Sequence, residues 1–509
     1  MLKTVRLLFM ILFITILTAC SNNTQDTAVK PENTKGEESK KTNEDSMDSN
    51  PIENSKIIRE ITPELVKDIK KILIEDASKL WPSFNNKDKQ ILLLNPSNKM
   101  AYLINNQKTD IGPKDEVIEY STDSIKDTQL LVTPFQLTTF NDHPTYVFNL
   151  EFASDVISGT DKEAAYENVF KFIVHEGIHI LLQSGGTAEG LGTRAETYPV
   201  DIDSRYYRNE MYQYLKKAFE SKKKDEKIDQ IQKAAYYYEL YLNSNKKNKE
   251  QDGYDNIEGM ATYLESKAYQ MIKHPDASAK KLNDLTAKSI INDFIPADQG
   301  QEEVLLMKGR EFYDIGALAI ASAVDMQLNE KTLLTASPLG LMDSEFGSKK
   351  AEGHENIKKA NNDYYNAYNN KLKSYVDDIA SKQKDDQYAA VRIPVTIQNA
   401  SASYEDMIVE YQYKGKSAEI QTTTREIILP DTRIKLNKMK SLFIAAPMED
   451  LEDPTKMNPN TIMGYTIVFV PKKDIEFSQD KLLTIQRDDL LIFDAKYDEK
   501  DGEYQILMN

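Results

Sequence analysis

Hydrophobic residues change their spacing twice along this chain of 509 residues, and that change limits the architectures open to it. Short apolar runs come first. Residues 91–94 (ILLL), 101–104 (AYLI), 129–133 (QLLVT) and 145–150 (TYVFNL), separated by Asn, Pro, Asp and Gly, read as strands of one sheet. A helix start is expected at Thr62-Pro63-Glu64, where a capping residue precedes Pro in the first turn. From Asp161 to about Gln183 the spacing becomes helical, and helical character persists to about Lys384. That stretch includes a Lys- and Tyr-rich segment around 210–250 and helices predicted over 255–273, 302–328 and 356–383. After Asp386 the period becomes two: Val391, Ile393, Val395 and Ile397 alternate strictly, with further strands expected at 407–413, 425–429, 462–470 and 490–493. The expected class is α+β: a small N-terminal sheet, a mainly helical core within 61–385, and a separate all-β domain over 386–509. That last domain has no histidine and no recognisable catalytic motif, which suits packing or binding.

The amino terminus has a different character. Lys3 and Arg6 precede an apolar run at 7–17 (LLFMILFITIL), too short to span a bilayer comfortably, and Leu17-Thr18-Ala19-Cys20 follows as a small-residue cleavage site. Ending on Cys, the segment resembles a bacterial lipobox, with 1–19 as signal peptide and Cys20, the chain's one cysteine, as the lipid-bearing first residue of the mature protein. Residues 20–60 are almost devoid of apolar side chains up to position 56 and read as a flexible tether. The expected location is therefore extracytoplasmic, anchored to the cell membrane through the lipid on Cys20. One cysteine excludes a disulfide scaffold and any Cys-based metal knuckle. With 81 acidic residues against 64 Lys and Arg, the net charge of −17 argues against a nucleic-acid partner, which demands clustered positive charge.

Chemistry concentrates in Val174-His175-Glu176-Gly177-Ile178-His179. Only five histidines occur, at 143, 175, 179, 274 and 354, and two of them stand four apart in this helix, on one face. Both imidazoles can then reach one zinc ion, and Glu176 can face the open coordination position as general base toward a zinc-activated water. Apolar flanks (Phe170, Ile173, Val174, Ile180, Leu181) imply a buried helix, where an uncompensated His pair would be costly.

At this motif the chain resembles the zincin metallopeptidases. The resemblance implies a zincin-like metallopeptidase domain over 61–385, one Zn²⁺, two histidine ligands, and a third ligand from further along the chain. The metzincin extension is missing, since Gln183 and Ser184 follow Leu182 and no histidine occurs before His274. A carboxylate third ligand, as in gluzincins, is the remaining common option. Glu189 and Glu196 lie in the Gly-rich stretch after the motif, and Glu196, 17 positions beyond His179, fits a short gluzincin gap. Glu258, 79 positions beyond His179, lies in a stretch that looks like the E-G-x-A-x-Y helix carrying the third ligand in many gluzincin-like proteins, and it is the first choice. Glu265, seven positions later on the same face, is a supporting or substrate-side candidate. Some gluzincins place an acid four residues after the third ligand to orient a zinc histidine. Thr262 stands there instead, and Asp255 is a substitute candidate.

Tyr313 lies in a stretch that looks like the tyrosine-bearing helix near the metal in related proteins, making it a candidate oxyanion donor among 28 tyrosines. Arg194, Arg205 and Tyr206 are candidates for substrate contact, with ion pairing or packing the plainer role. In zincins the strand before the motif helix often pairs with extended substrate, which would place His143 at the border of the cleft. The reading is a membrane-anchored zinc hydrolase, a metallopeptidase acting on peptide or protein. The alternative is a non-catalytic surface binding or assembly lipoprotein that retains a zincin scaffold.

Overall fold

The computed structural model describes residues 51–131, 134–153, 157, 160–183, 197–294, 306, 309–396, 403–429, 432–446, 461–500 and 502–508. The lipobox with Cys20 lies outside them. No helix among the described residues is long and apolar enough to cross a membrane.

The first helix, α1 (Pro51–Lys70), starts inside the expected tether and carries Pro63 in its interior, so Thr62 is not a cap. The reason is an apolar stripe at Ile58, Ile61, Leu65, Ile69 and Ile72, all buried, whose spacing already describes a helix. Thr62 Oγ1 donates to the Ile58 carbonyl one turn back, at 2.6 Å. A short helix, α2 (Ala77–Leu80), follows.

The N-terminal sheet contains β1 (Gln90–Asn95), β2 (Met100–Ile104), β3 (Ile118–Ser121), β4 (Phe135–Phe140) and β5 (His143–Asn149), in the order β3-β2-β1-β5-β4. Only β1 and β5 run parallel; the other pairs are antiparallel. β1 is buried on both faces: Ile91 and Leu93 join the main core, while Leu92 and Leu94 join a smaller cluster with Ala101 and Val147. Over its described part, 129–131, the strand expected at 129–133 is not formed. Thr128–Leu131 is a 3₁₀ turn that drops Leu130 into that smaller cluster, and the strand begins only past Pro134.

Helix α3 (Lys162–Leu181) is capped by Asp161, whose carboxylate accepts from the Ala164 N–H. It packs between the sheet, α1 and the long helix formed by Lys246–Lys273. The tyrosine-rich segment forms α4 (Ile202–Glu220) and α5 (Lys224–Ser244). Then come α6 (Lys246–Lys273), α7 (Ala279–Asn292), α8 (Glu311–Asp325), α9 (Glu330–Leu333), α10 (Pro338–Phe346) and α11 (Glu355–Lys384). α6 starts nine residues before the expected position, and α8 starts nine after it, following a turn in which Gly309 has φ +77°. α6 and α8 cross in backbone contact: a Cβ on Gly316 would fall 2.0 Å from the Asp255 carbonyl oxygen, and one on Gly259 would fall 2.4 Å from Gly316 Cα.

The C-terminal region is all β. Among the described residues its nine strands are β6 (Tyr388–Thr396), β7 (Ser403–Tyr413), β8 (Lys416–Leu429), β9 (Thr432–Ala445), β10 (Ile462–Pro471), β11 (Ile475–Phe477), β12 (Leu482–Gln486), β13 (Leu490–Lys500) and β14 (Glu503–Ile506). They run in the order β11-β12-β13-β14-β6-β10-β9-β8-β7, and β13 also pairs with β9 through Leu490–Leu436 and Ile492–Ile434. That extra pairing closes β13, β14, β6, β10 and β9 into a ring around Val391, Ile393, Ile434, Val468 and Ile492. α11 covers the sheet's other side with Leu372 and Ile379. The molecule is thus a mixed α and β protein with a helical core and two sheets.

Candidate metal centre

His175, Glu176 and His179 occupy the last turns of α3, and all three are buried. The helix is pressed against the sheet at Gly177, where a Cβ would stand 3.3 Å from both Leu73 and Tyr146. This close approach directs the opposite face, with the histidines, toward α6.

The two rings are held by different acceptors. His175 Nδ1 lies 2.7 Å from Glu265 Oε2, and His179 Nδ1 lies 2.6 Å from Gln183 Oε1. Both partner atoms only accept, so both Nδ1 atoms carry the proton and both Nε2 lone pairs point inward. They converge with Glu258, which is fully buried on α6. The separations are 3.1 Å between the Nε2 atoms, 3.3 Å from His175 Nε2 to Glu258 Oε2, and 3.6 Å from His179 Nε2 to the same oxygen. Three tetrahedral ligands at about 2.0–2.1 Å from a zinc ion stand about 3.3–3.4 Å apart, so the donor set fits. Two facing lone pairs and a buried carboxylate also need a cation or a proton between them. His175, His179 and Glu258 are the one group with metal-ligand spacing among the described residues.

Burial by itself would discharge His175, but the carboxylates of Glu265 and Glu258 outweigh it and raise its pKa to about 10, so that with no cation between the donors a proton takes the Nε2 position that a metal would otherwise occupy. Burial pushes Glu176 up to about 7, against the pull of the two histidines. Glu176 Oε2 is buried and accepts no hydrogen bond within the described structure, an orphan that asks for a ligand proton.

Tyr313, on α8, lies beside the site. Its ring stacks on that of His175 at 5.7 Å with 20° between planes, and the Arg310 guanidinium lies 5.0 Å from the Tyr313 ring. Asp255 does not orient a histidine. It is held bidentately by Arg208, at 2.6 Å for each bond, and Arg208 in turn lies against Tyr241 and Phe312. Its place as acceptor is taken by Glu265 and Gln183. Thr262 is buried nearby with its hydroxyl unsatisfied by protein groups.

Other candidates stand apart. Arg205 is buried in an ion pair with Glu311, and Tyr206 packs in a tyrosine cluster with Tyr207 and Tyr237. His143 opens β5 at the hairpin, and β5 lies between β1 and β4, so this strand has no edge to offer a substrate. The outer strand on that side is β4. His274 caps α6 at its C-terminal end, and His354 pairs with Glu210. Glu189, Arg194 and Glu196 lie outside the described residues.

Gln183 escaped sequence reasoning, although its position four residues after His179 was a signal that it shares the face. Comparison of the chain with protein-family models, with curated proteins and with solved structures finds no match.

Proposed function

We propose that this chain is a zinc-dependent hydrolase of the zincin type that cleaves peptide bonds outside the cell, tethered to the membrane through Cys20. The observation that carries the reading is the convergence of three donor atoms, on two helices, at 3.1, 3.3 and 3.6 Å. His175, His179 and Glu258 would hold the ion. Bound there, zinc would supply Lewis acidity, acidifying water and polarising a carbonyl.

The protein residues supply the rest. Glu176 Oε2 takes the proton from the attacking water and returns it to the leaving amine. The Tyr313 hydroxyl donates to the oxygen that gains charge as the carbonyl is attacked. β4 offers an extended edge along which a peptide can pair. The mixed sheet beside the motif helix, with the third carboxylate on a later helix, supports a zincin-like core. The acidic balance suits a solvated domain at a cell surface and no nucleic-acid partner.

The test is metal content and cleavage of a peptide library by the full chain, with Glu176→Gln as control. One zinc per chain, with cleavage abolished by Glu176→Gln, is the expected result. Zinc without cleavage would favour a binding or assembly protein, and absence of zinc binding would overturn the ligand assignment.

A further inference from the structure

Gln183 is bonded at both ends of its amide. Oε1 faces His179 Nδ1 at 2.6 Å, and Nε2 donates to the Ile257 carbonyl at 3.1 Å. Ile257 immediately precedes Glu258. A carbonyl oxygen only accepts, so it fixes which end of the amide faces α6 and leaves Oε1 toward the histidine. Oε1 also only accepts, so the His179 proton must sit on Nδ1. The backbone of α6 thereby dictates the tautomer of a side chain on α3.

The end of α3 is shaped for this. The N–H groups of Leu182 and Gln183 both donate to the Ile178 carbonyl, at 3.0 Å each. The second of these bonds spans five residues, so the final turn is widened and Gln183 folds back beside His179. His175 has a simpler acceptor in Glu265, whose carboxylate cannot donate to anything.

We propose that Gln183 is a positioning residue that clamps α3 to α6, setting both the tautomer of His179 and its separation from Glu258. This rests on the metal-binding reading above. It explains the difference between the two acceptors: one histidine is paired with a charge, the other with an amide that can also hold the neighbouring helix.

The test is Zn²⁺ affinity of the full chain, measured by competition with a chromophoric chelator. Gln183→Ala should weaken binding by about 10–100-fold, the usual effect of losing an outer partner of a metal histidine. Gln183→Glu separates the two roles, because it keeps an acceptor for Nδ1 but turns a second acceptor toward the Ile257 carbonyl. The clamp requires that it too weakens Zn²⁺, by about 10-fold or more. If Gln183→Glu binds as tightly as the parent chain or more tightly, the acceptor alone matters and the clamp is overturned. Unchanged affinity in Gln183→Ala overturns the whole proposal. Failure of the parent chain itself to bind Zn²⁺ would instead strike the reading beneath it. A small fall in the melting temperature of the metal-free variants is expected from the lost bond to the Ile257 carbonyl; a large loss in the metal-free variants with parental Zn²⁺ affinity would assign Gln183 to stability and overturn its role at the metal.

Discussion

Gly259 and Gly316 bring the backbones of α6 and α8 together with no room for a methyl group on either. Glu258 adjoins the first glycine, and Tyr313 lies about one turn before the second. The crossing is therefore what delivers the third candidate ligand and the stacked tyrosine to the same imidazole.

Gly316→Ala should separate these helices. An added Cβ would meet the Asp255 carbonyl at 2.0 Å, a backbone group that cannot rotate away. The expected cost is about 1–3 kcal/mol of stability or more, read from a shift in the urea midpoint. Gly347→Ala tests backbone strain separately, because that glycine has φ +74° and no atom near its Cβ position.

Glu176→Gln should retain one zinc per chain while lowering kcat by about 10²–10⁴-fold, the usual contribution of a general base. Elemental analysis alongside peptide cleavage checks both halves. A variant that kept parental kcat would remove Glu176 from the chemistry.

Glu258→Ala should lose the metal, whereas Glu196→Ala should keep it. Equilibrium dialysis against Zn²⁺ decides between them. The opposite outcome would move the third ligand to the Gly-rich stretch after the motif.

Tyr313→Phe keeps the ring that stacks on His175 and removes only the hydroxyl. Zinc content should be unchanged, with kcat down by about 10²–10³-fold if the hydroxyl stabilises the oxyanion. A change confined to KM would assign Tyr313 to substrate binding instead.

Asp314 gives a pH signature. Burial pushes its carboxyl from the ordinary 3.8 up to about 7, only partly opposed by Arg310. Between those values the folded chain binds a proton that the unfolded chain has lost, so stability falls as pH rises from about 4 to 7. Asp314→Asn should flatten that slope, gaining stability relative to the parent chain at pH 8 compared with pH 4. Denaturant unfolding of both chains at the two pH values measures the difference.

Legibility in the sequence followed the range of the interactions. The four-residue spacing of His175 and His179 and the strict alternation from Val391 are local, and both lie in the expected type of element. Glu258 came from a stretch resembling a ligand-bearing helix. Its meeting with His175, 83 positions away, depends on how α3 and α6 pack. Glu265 meets His175 across 90 positions and Gln183 meets Ile257 across 74, so no local pattern assigns those two bonds, whereas the Gln183–His179 contact spans only four residues and was open to a local reading. Asp255 was misplaced because its nearest charge is Arg208, which comes from α4. At the other end of the scale, QLLVT reads as a strand by composition alone, yet tertiary burial of Leu130 in a turn decides its conformation.

The separation of His179 from Glu258 has a consequence for the life history of the molecule. Two complete helices, α4 and α5, lie between these candidate ligands, so an extended chain does not bring them together. On the proposed reading, a polypeptide exported unfolded would cross the membrane without an ion and acquire one only after the helices dock. Metal supply at the destination would then shift the folding equilibrium toward the native state by mass action, and a chelator there would raise the share of unfolded molecules.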